Sequence, residues 1–204
     1  MLDNKLGINN NVELMKEEER ITKIKAIELF DTNKINEIDV GTFKGLSEIH
    51  KFMFSDIYDF AGKIRDVNLT KGNFRFAPLV YLKEALKKID GMPEDNFDNI
   101  IKKYVEMNIA HPFREGNGRS ARIWLDMMLK KNLGKVVDWG KVNKEDYLLA
   151  MERSPIKDTE INMLLSSALT NKVDDRITYM KGIDASYQYE GYNIYTMIEL
   201  DKNK

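Results

Sequence analysis

Cysteine is absent from the 204-residue chain, and histidine is scarce, with two copies. Without cysteine the chain has no disulfide framework, no cysteine-ligated zinc and no thiol nucleophile. Neither charge is in excess, because 32 basic residues face 33 acidic ones, so nothing calls for a nucleic-acid partner. No apolar run approaches the roughly 18 residues of a membrane span, and no secretion signal is recognisable at the start. We therefore expect a cytoplasmic protein without a membrane partner.

The composition is that of a folded chain, since hydrophobic residues make up 43% and aromatic residues 10% of it. A chain of this length buries enough surface for one core, so we expect a single domain over residues 1–204. Apolar residues recur mostly at helical spacing. The predicted helices cover residues 13–30, 42–60, 79–89, 93–110, a stretch after 118, 144–152, a stretch from Pro155, and a C-terminal helix at 183–198.

Residues 62–78 break the helical pattern. Ile64, Phe74 and Phe76 alternate with basic residues around a Lys-Gly-Asn turn, which favours a β-hairpin. No internal repeat and no linker-like tract is visible. The predicted fold class is therefore all-α with one small β-hairpin.

Chemically useful side chains concentrate in residues 111–122, whose sequence is HPFREGNGRSAR. A helix beginning at Gly116-Asn117-Gly118 presents free backbone N–H groups, and the glycines allow an anion to approach closely. Asn117 adds an amide donor, and Arg119 and Arg122 add positive charge on neighbouring turns. The simpler interpretations are a turn with a helix cap and a solvated basic face.

Two further residues complete the pattern. Glu115 is the type of ligand that holds Mg²⁺ beside substrate phosphates, and His111 is able to remove a proton from a hydroxyl at neutral pH. Phe113 between them is expected to be a core residue, and His50, which has no polar group nearby in sequence, is expected to be structural. The segment therefore predicts a nucleotide phosphate site with a base beside it.

A dinucleotide-binding fingerprint also matches this region. Gly116, Gly118 and Ala121 have the required spacing, and Asp138 lies where an acid would bind the ribose. That fingerprint needs a buried strand before the glycines. Residues 95–110 have helical period instead, so we reject this interpretation.

The same segment resembles the signature of the Fic family, HxFx(D/E)GNGRxxR, at every defined position. Residues 61–65 and the hairpin after them are also similar to the family, and the resemblance extends over about residues 40–200. It implies a mostly helical Fic fold. It also implies an enzyme that transfers AMP from ATP to a hydroxyl side chain of a target protein.

The resemblance assigns roles to the motif residues. His111 would be the general base, and Glu115 would bind Mg²⁺, with Ca²⁺ or Mn²⁺ as other metals that its oxygens accept. The backbone of Gly116 and Gly118, with the Asn117 amide, would hold the phosphates.

Two arginines of the motif receive roles as well. Arg119 would assist in holding the phosphates, and Arg122 would bind the γ-phosphate. Relatives that phosphorylate their target carry lysine at the position of Gly118, so glycine there favours AMP transfer.

The hairpin at 62–78 is similar to the flap on which Fic enzymes dock their target. Lys71, Gly72 and Asn73 would line the edge of the nucleotide site and pair with the target as an added strand. A purely structural cover is the alternative.

Near the C-terminus, Ser186, Glu190 and Gly191 fit the family's inhibitory pattern (S/T)xxxE(G/N), as in single-domain Fic proteins of class III. Glu190 would pair with Arg122 and take the place of the γ-phosphate, and Ser186 would support it from one turn earlier. The alternative is an exposed amphipathic terminal helix.

The resemblance leaves the direction of the reaction open. Similar proteins with this glutamate include enzymes that remove AMP, so the chain could be bifunctional or a dedicated de-AMPylating hydrolase. A catalytically silent nucleotide-binding module is the alternative from another class. Self-modification of Tyr187, Tyr189 or Tyr192, and a homo-oligomer in which it occurs between copies, are further hypotheses.

Overall fold

The computed structural model describes residues 2–72 and 74–202, and this part of the chain is mainly helical. The helices are α1 (Asn11–Asp31), α2 (Phe43–Phe54), α3 (Leu79–Asp90), α4 (Phe97–Ala110), α5 (Asn117–Leu133), α6 (Lys144–Arg153), α7 (Thr159–Ser167), α8 (Arg176–Tyr189) and α9 (Met197–Lys202). Short 3-10 helices occupy Lys34–Glu37 and Trp139–Lys141. The predicted helical fold class is confirmed.

Two very small antiparallel sheets accompany the helices. Strand β1 (Thr70–Lys71) pairs with β2 (Phe74–Arg75), and these form the predicted hairpin. Strand β3 (Val136–Val137) pairs with β4 (Leu169–Thr170). This second pair was not predicted, because two-residue strands far apart in sequence leave no period-two pattern.

Several helices begin where a polar side chain caps the first turn. Asn143 accepts a hydrogen bond from Asp146 N, which confirms the predicted start of α6. The predicted start at Pro93 is wrong, because Asn96 caps α4 instead and Glu94 is drawn away to Lys103, 2.6 Å from its Nζ. Likewise, α7 begins at Thr159 and not at Pro155.

Helix α2 ends at Phe54, six residues before the predicted end. The N–H groups of Ile57 and Tyr58 both turn back to Phe54 O, and the Tyr58 hydroxyl donates to the buried Glu18 of α1. Long-range pairing of this kind overrides the helical pattern of the sequence.

Helix α5 lies at the centre and packs against α2, α4 and α8. Its Trp124 is fully buried and donates from Nε1 to Thr42 O. Because α4 and α5 pack side by side, the loop between them carries His111 to the N-terminus of α5.

The predicted C-terminal helix at 183–198 is wrong in both bounds. Helix α8 begins earlier, because Asp175 caps it, and it ends at Tyr189, because Gly191 follows in a left-handed conformation (φ +90°). The chain then runs without regular structure to α9. We call residues 176–202 the C-terminal segment.

None of the helices in the described ranges is long and apolar enough to span a bilayer.

Candidate active site

His111 occupies a strained position at the end of α4. Its backbone is left-handed (φ 48°, ψ 62°), and its N–H still closes the last helical turn onto Met107 O. Nδ1 lies 3.3 Å from Asn108 O. A carbonyl only accepts, so Nδ1 carries the proton, and the lone pair of the neutral ring is on Nε2. Burial lowers the pKa of His111 to about 4, so the ring is neutral at pH 7.

Arg65 holds the backbone around this histidine. Its guanidinium donates from Nε to His111 O at 2.8 Å, and from the two other nitrogens to the carbonyls of Val67, Ala77 and Ala110. Its own N–H donates to Pro112 O. Burial lowers the pKa of the Arg65 guanidinium, but the four carbonyls satisfy its donors. Arg65 thereby joins the flap to the His111 turn.

The flap covers one face of the histidine. The Phe76 ring stacks on the His111 ring with 3.6 Å between centroids, and Ala77 N donates to Ile109 O. Lys71 is exposed, yet its charge is among the causes that lower the pKa of His111, after burial. Gly72 has a positive φ at the turn, whereas Asn73 lies outside the described residues. The structure thus brings Lys71 near the histidine, and a docking role of the flap stays a prediction.

The N-terminus of α5 has the geometry expected of an anion site. Gly116 is left-handed (φ +75°), and a Cβ there would lie 2.4 Å from Phe54 Cζ, so only glycine fits both the turn and the packing. Gly118 follows in the first turn, and a Cβ on it would lie 2.3 Å from Glu190 Oε1. The two glycines therefore let a negatively charged group approach the free N–H groups of the helix.

Asn117 does not point its amide at this opening. Oδ1 accepts from Phe113 N and Nδ2 donates to Phe113 O, both at 2.8 Å. The amide thus closes the loop on itself, and the predicted contact of its side chain with phosphates stays a prediction. Phe113 is fully buried, as expected of a core residue.

His50 contacts the loop between α4 and α5 from the protein interior. Gly62 N donates to its Nδ1, and its Nε2 then donates to Glu115 O at 2.8 Å. The ring is fully buried and stacks on Phe113 at 3.9 Å between centroids. Burial lowers the pKa of His50 to about 4. A structural role was expected for His50, but its contact with the loop that carries Glu115 was not predicted.

Glu115 offers a single carboxylate at the edge of the site. Its Oε1 accepts from Gly116 N at 2.9 Å and from Arg119 Nη2 at 3.0 Å, and the side chain is 38% exposed. Among the described residues, no group of three or more histidine, aspartate or glutamate side chains is arranged so that it could hold a metal ion. One carboxylate fits Mg²⁺, which binds mainly to phosphates and water, better than it fits a metal cage built by protein alone.

Arg119 is fully buried, and each of its nitrogens faces a carboxylate. Nη1 donates to Glu18 Oε1 at 2.7 Å, Nη2 donates to Glu115, and Nε lies 2.9 Å from Glu190 Oε2. The last contact is an ion pair without hydrogen-bond geometry. Burial alone would lower the pKa of Arg119, but Glu18 and Glu190, together with the nearby Tyr192 and Tyr187, raise it well above the usual value.

Arg122 connects α5 to the C-terminal segment. Its Nη2 donates to Glu190 Oε1 at 2.6 Å and to Ser186 O at 2.9 Å, and its Nε donates to Ser186 Oγ at 2.6 Å. The expected pairing of Glu190 with Arg122 is therefore present, whereas the direct contact of Ser186 with Arg122 was not predicted. Gly191, the third residue of the pattern, supplies the left-handed turn after Glu190.

Glu190 is a carboxylate held between two guanidiniums. Burial would raise its pKa, but the charges of Arg119 and Arg122 outweigh burial, and the pKa of Glu190 is lowered. The Glu190 side chain is 19% exposed, so its ion pair with Arg122 is mostly shielded from solvent. Glu190 is therefore ionised at neutral pH, at the entrance to the α5 anion site.

Helix α1 supplies residues that the sequence interpretation missed. Glu18 accepts from Arg119 and from the Tyr192 hydroxyl at 2.6 Å, and Glu19 accepts from the N–H groups of Ile194 and Tyr195. Both acids are buried. A signal existed, because Glu18 is four residues after the apolar Leu14 and so lies on the inner face of the helix.

The tyrosines of the C-terminal segment are not available for modification in this conformation. Tyr187, Tyr189 and Tyr192 are buried, and their hydroxyls bind Thr22, backbone carbonyls before α6, and Glu18. Self-modification of any of them requires the segment to move first.

Comparison with known proteins places this geometry in a family. Residues 42–129 match the model of the Fic/DOC family. The protein adenylyltransferase VbhT of Bartonella schoenbuchensis is 31% identical over 214 residues, which cover 98% of this chain and 42% of VbhT. The chain therefore spans less than half the length of that relative. The probable protein adenylyltransferase Fic of Escherichia coli is 27% identical over 137 residues, covering 61% of this chain and 68% of that protein.

A solved structure agrees at the level of the fold. The BepC protein of Bartonella tribocorum, crystallised with AMPPNP, superposes with a TM-score of 0.67 at 22% identity, over 83% of this chain and 92% of BepC. Residues 42–129 of this chain therefore form a domain of the Fic/DOC family.

Proposed function

We propose that this chain transfers AMP from ATP to a hydroxyl side chain of a target protein. One observation carries the proposal. A neutral His111, with its lone pair on Nε2, lies in the loop that leads directly into the anion site of α5. Two curated relatives named adenylyltransferases, and a Fic structure that contains an ATP analogue, support the same chemistry.

The proposed reaction is a displacement at the α-phosphorus of ATP. The target hydroxyl loses its proton to His111 Nε2, and its oxygen attacks the α-phosphorus of ATP. The bond from that phosphorus to the bridging oxygen of the β-phosphate breaks, and pyrophosphate leaves. The free backbone N–H groups at the start of α5 would stabilise the phosphate charge.

Glu115 is the protein residue that would bind a divalent metal in the proposed reaction. Mg²⁺ would neutralise phosphate charge when bound, with Ca²⁺ or Mn²⁺ as possible replacements. The Glu115 carboxylate pairs with Arg119, so Arg119 would orient this metal ligand and share its charge.

We further propose that Glu190 inhibits the transfer, which would make the chain a class III Fic protein. The guanidinium of Arg122 is the group expected to bind the γ-phosphate, and Glu190 already occupies it at 2.6 Å. The γ-phosphate would need the place at Arg122 that the Glu190 carboxylate occupies, and the two negative groups would repel each other there. ATP would therefore bind weakly or in an unproductive pose while the C-terminal segment is docked.

AMP removal is the second candidate reaction, and Glu190 is the residue that would position its water. The lowered pKa of Glu190 makes it a poor proton acceptor, which favours the inhibitory role over that of a general base. If removal occurs, it should disappear in Glu190→Gly, the same variant in which transfer should increase.

The test is self-labelling with α-labelled ATP and Mg²⁺ in the parent, Glu190→Gly, and Glu190→Gly with His111→Ala. We expect strong label only in Glu190→Gly. γ-Labelled ATP should give none, because the γ-phosphate leaves with pyrophosphate. Strong labelling that persists without His111, or label from the γ-phosphate, would exclude the proposed chemistry.

A further inference from the structure

A cavity of about 590 Å³ lies between α5 and α8 and opens near residues 172–175. Its inner end is bounded by Arg122 and Ser186, which belong to the Glu190 contact. Of the described residues from 111 to 121, none lines it, so it is separate from the α5 anion site.

The walls of the cavity are mostly apolar. Ile123 and Met127 of α5 form one side, Tyr179 and Ile183 of α8 form the opposite side, and Phe30 of α1 stacks on Tyr179 at 4.6 Å between ring centroids. A cavity of this size and lining is typical of a site for a small organic molecule.

The acidic groups that line the cavity already have partners. Asp126 accepts from Val137 N and from Trp139 Nε1, both at 2.8 Å. Asp174, at the mouth, pairs with Lys130 Nζ at 2.5 Å. Asp174 is thus paired with a cation, and burial raises the pKa of Asp126 to about 7, so Asp126 is only partly ionised at neutral pH.

Asp175, also at the mouth, caps α8 through Thr178. These hydrogen bonds, and to a smaller extent Lys172, lower the pKa of Asp175. Asp175 therefore stays ionised at neutral pH, and Lys172 is a cation of the lining that lies near it.

Two lysines at the mouth form no ion pair with a carboxylate of the described residues. Lys131 on α5 and Lys172 before α8 are exposed lining residues. Within residues 2–72 and 74–202, neither ammonium lies within 4.0 Å of a carboxylate oxygen. The charge at the opening therefore favours a negative group.

We propose that this cavity binds a small amphipathic anion, with a ring-sized apolar body against Ile123, Met127 and Ile183 and a single acidic head at Lys131 and Lys172. The proposal combines the apolar walls, the satisfied carboxylates and the two unpaired ammonium groups. The cavity shares Arg122 with the expected γ-phosphate position, but Lys131 and Lys172, which would bind the acidic head, have no role in the proposed ATP site.

The position of the cavity predicts what the anion does. Tyr179, Gly182, Ile183 and Ser186, all on α8, make up one wall, so the site exists only while α8 is docked against α5. A ligand that binds one conformation stabilises it. The anion therefore favours the docked C-terminal segment, and the regulatory part of this inference rests on the proposed inhibition by Glu190.

Binding is tested with 8-anilinonaphthalene-1-sulfonate, whose naphthalene body and sulfonate match the proposed chemistry. We expect a single fluorescent site, an affinity at least about tenfold weaker in Lys131→Glu with Lys172→Glu, and no change in the control pair Lys135→Glu with Lys157→Glu. N-phenyl-1-naphthylamine lacks the sulfonate, so its affinity should be the same for the parent and for Lys131→Glu with Lys172→Glu. Equal dye affinity in both double variants would overturn the proposed site.

The coupling to α8 is tested by hydrogen exchange of its amides. At a free dye concentration nine times Kd, the ratio of docked to undocked α8 should increase about tenfold. Exchange that occurs through undocking should then slow by the same factor. Unchanged exchange at saturation would overturn the coupling. Neither measurement uses AMP transfer, so a failure of the proposed enzyme activity would be seen separately.

Discussion

Glu19 of α1 offers a way to release the C-terminal segment without touching the active site. It is fully buried, accepts from Ile194 N at 3.0 Å and Tyr195 N at 3.2 Å, and pairs with Lys23 Nζ at 3.1 Å. Glu19→Gln keeps one acceptor oxygen and the shape but removes the charge. The substitution should therefore weaken the contact of α1 with Ile194 and Tyr195, which follow Glu190 in the C-terminal segment.

The size of the effect follows from the contacts that are lost. The substitution removes at least one charge-assisted hydrogen bond, worth about 1.5–3 kcal/mol, and the pair with Lys23. Lys23 keeps Asp184 and Tyr195 O as partners, which limits the loss to about 2–3 kcal/mol. Since 1.36 kcal/mol is a factor of ten, the undocked fraction should rise about 30- to 150-fold if the whole loss falls on docking.

The assay is the rate of self-labelling with α-labelled ATP in the parent, Glu19→Gln and the exposed control Glu13→Gln. Glu19→Gln should label faster, and Glu13→Gln should not. In the Glu190→Gly background, Glu19→Gln should add little, because both changes act on one equilibrium. A variant that loses several degrees of Tm while labelling at the parent rate would refute the link between α1 and inhibition.

Three other perturbations have defined outcomes. Gly116→Ala in the Glu190→Gly background should abolish labelling and cost at least about 1–2 kcal/mol in urea unfolding, because alanine strains the left-handed backbone and meets Phe54. Arg65→Lys should lower kcat for AMP transfer with little change in KM for ATP, since lysine cannot bind all four carbonyls that fix the His111 turn. For His50, whose folded pKa of about 4 lies below the unfolded value near 6.5, unfolding takes up a proton between these pH values. Stability is thus lost as pH falls from 6.5 to 4, and His50→Gln should reduce the slope near pH 5 by about 1.4 kcal/mol per pH unit in urea titrations.

Motifs that are local in sequence could be predicted, because their geometry is set within a few residues. The run at 111–122 is one loop and one helix start, so its spacing alone implies the anion site. Ser186 and Glu190 are one helical turn apart, and Glu190 reaches Arg122 as expected. The family resemblance added the roles, which spacing alone does not give.

Contacts across the fold could not be predicted in this way. Glu18 meets Arg119 across 101 residues, and Glu19 meets Ile194 across 175 residues, and no periodic pattern encodes such pairs. The end of α8 was missed for a different reason. The apolar residues continue past Gly191, but its left-handed turn stops the helix and leaves Glu190 at the cap.

Asn117 has a partner in the structure that its residue type did not indicate. An amide at the start of a glycine-rich helix is an obvious phosphate donor, but here it binds both polar groups of the Phe113 backbone. Its structural contribution is to fix the loop that carries Glu115. Side-chain direction of this kind depends on the folded loop and not on spacing.

The central claim is that Glu190 occupies the position on Arg122 that the γ-phosphate requires. Calorimetric titration of a non-hydrolysable ATP analogue and of ADP, each into the parent and into Glu190→Gly, tests it most directly. We predict that the affinity for the ATP analogue increases in Glu190→Gly, while the affinity for ADP, which has no γ-phosphate, stays nearly the same. An equal gain for both nucleotides, or no gain for either, would contradict the account.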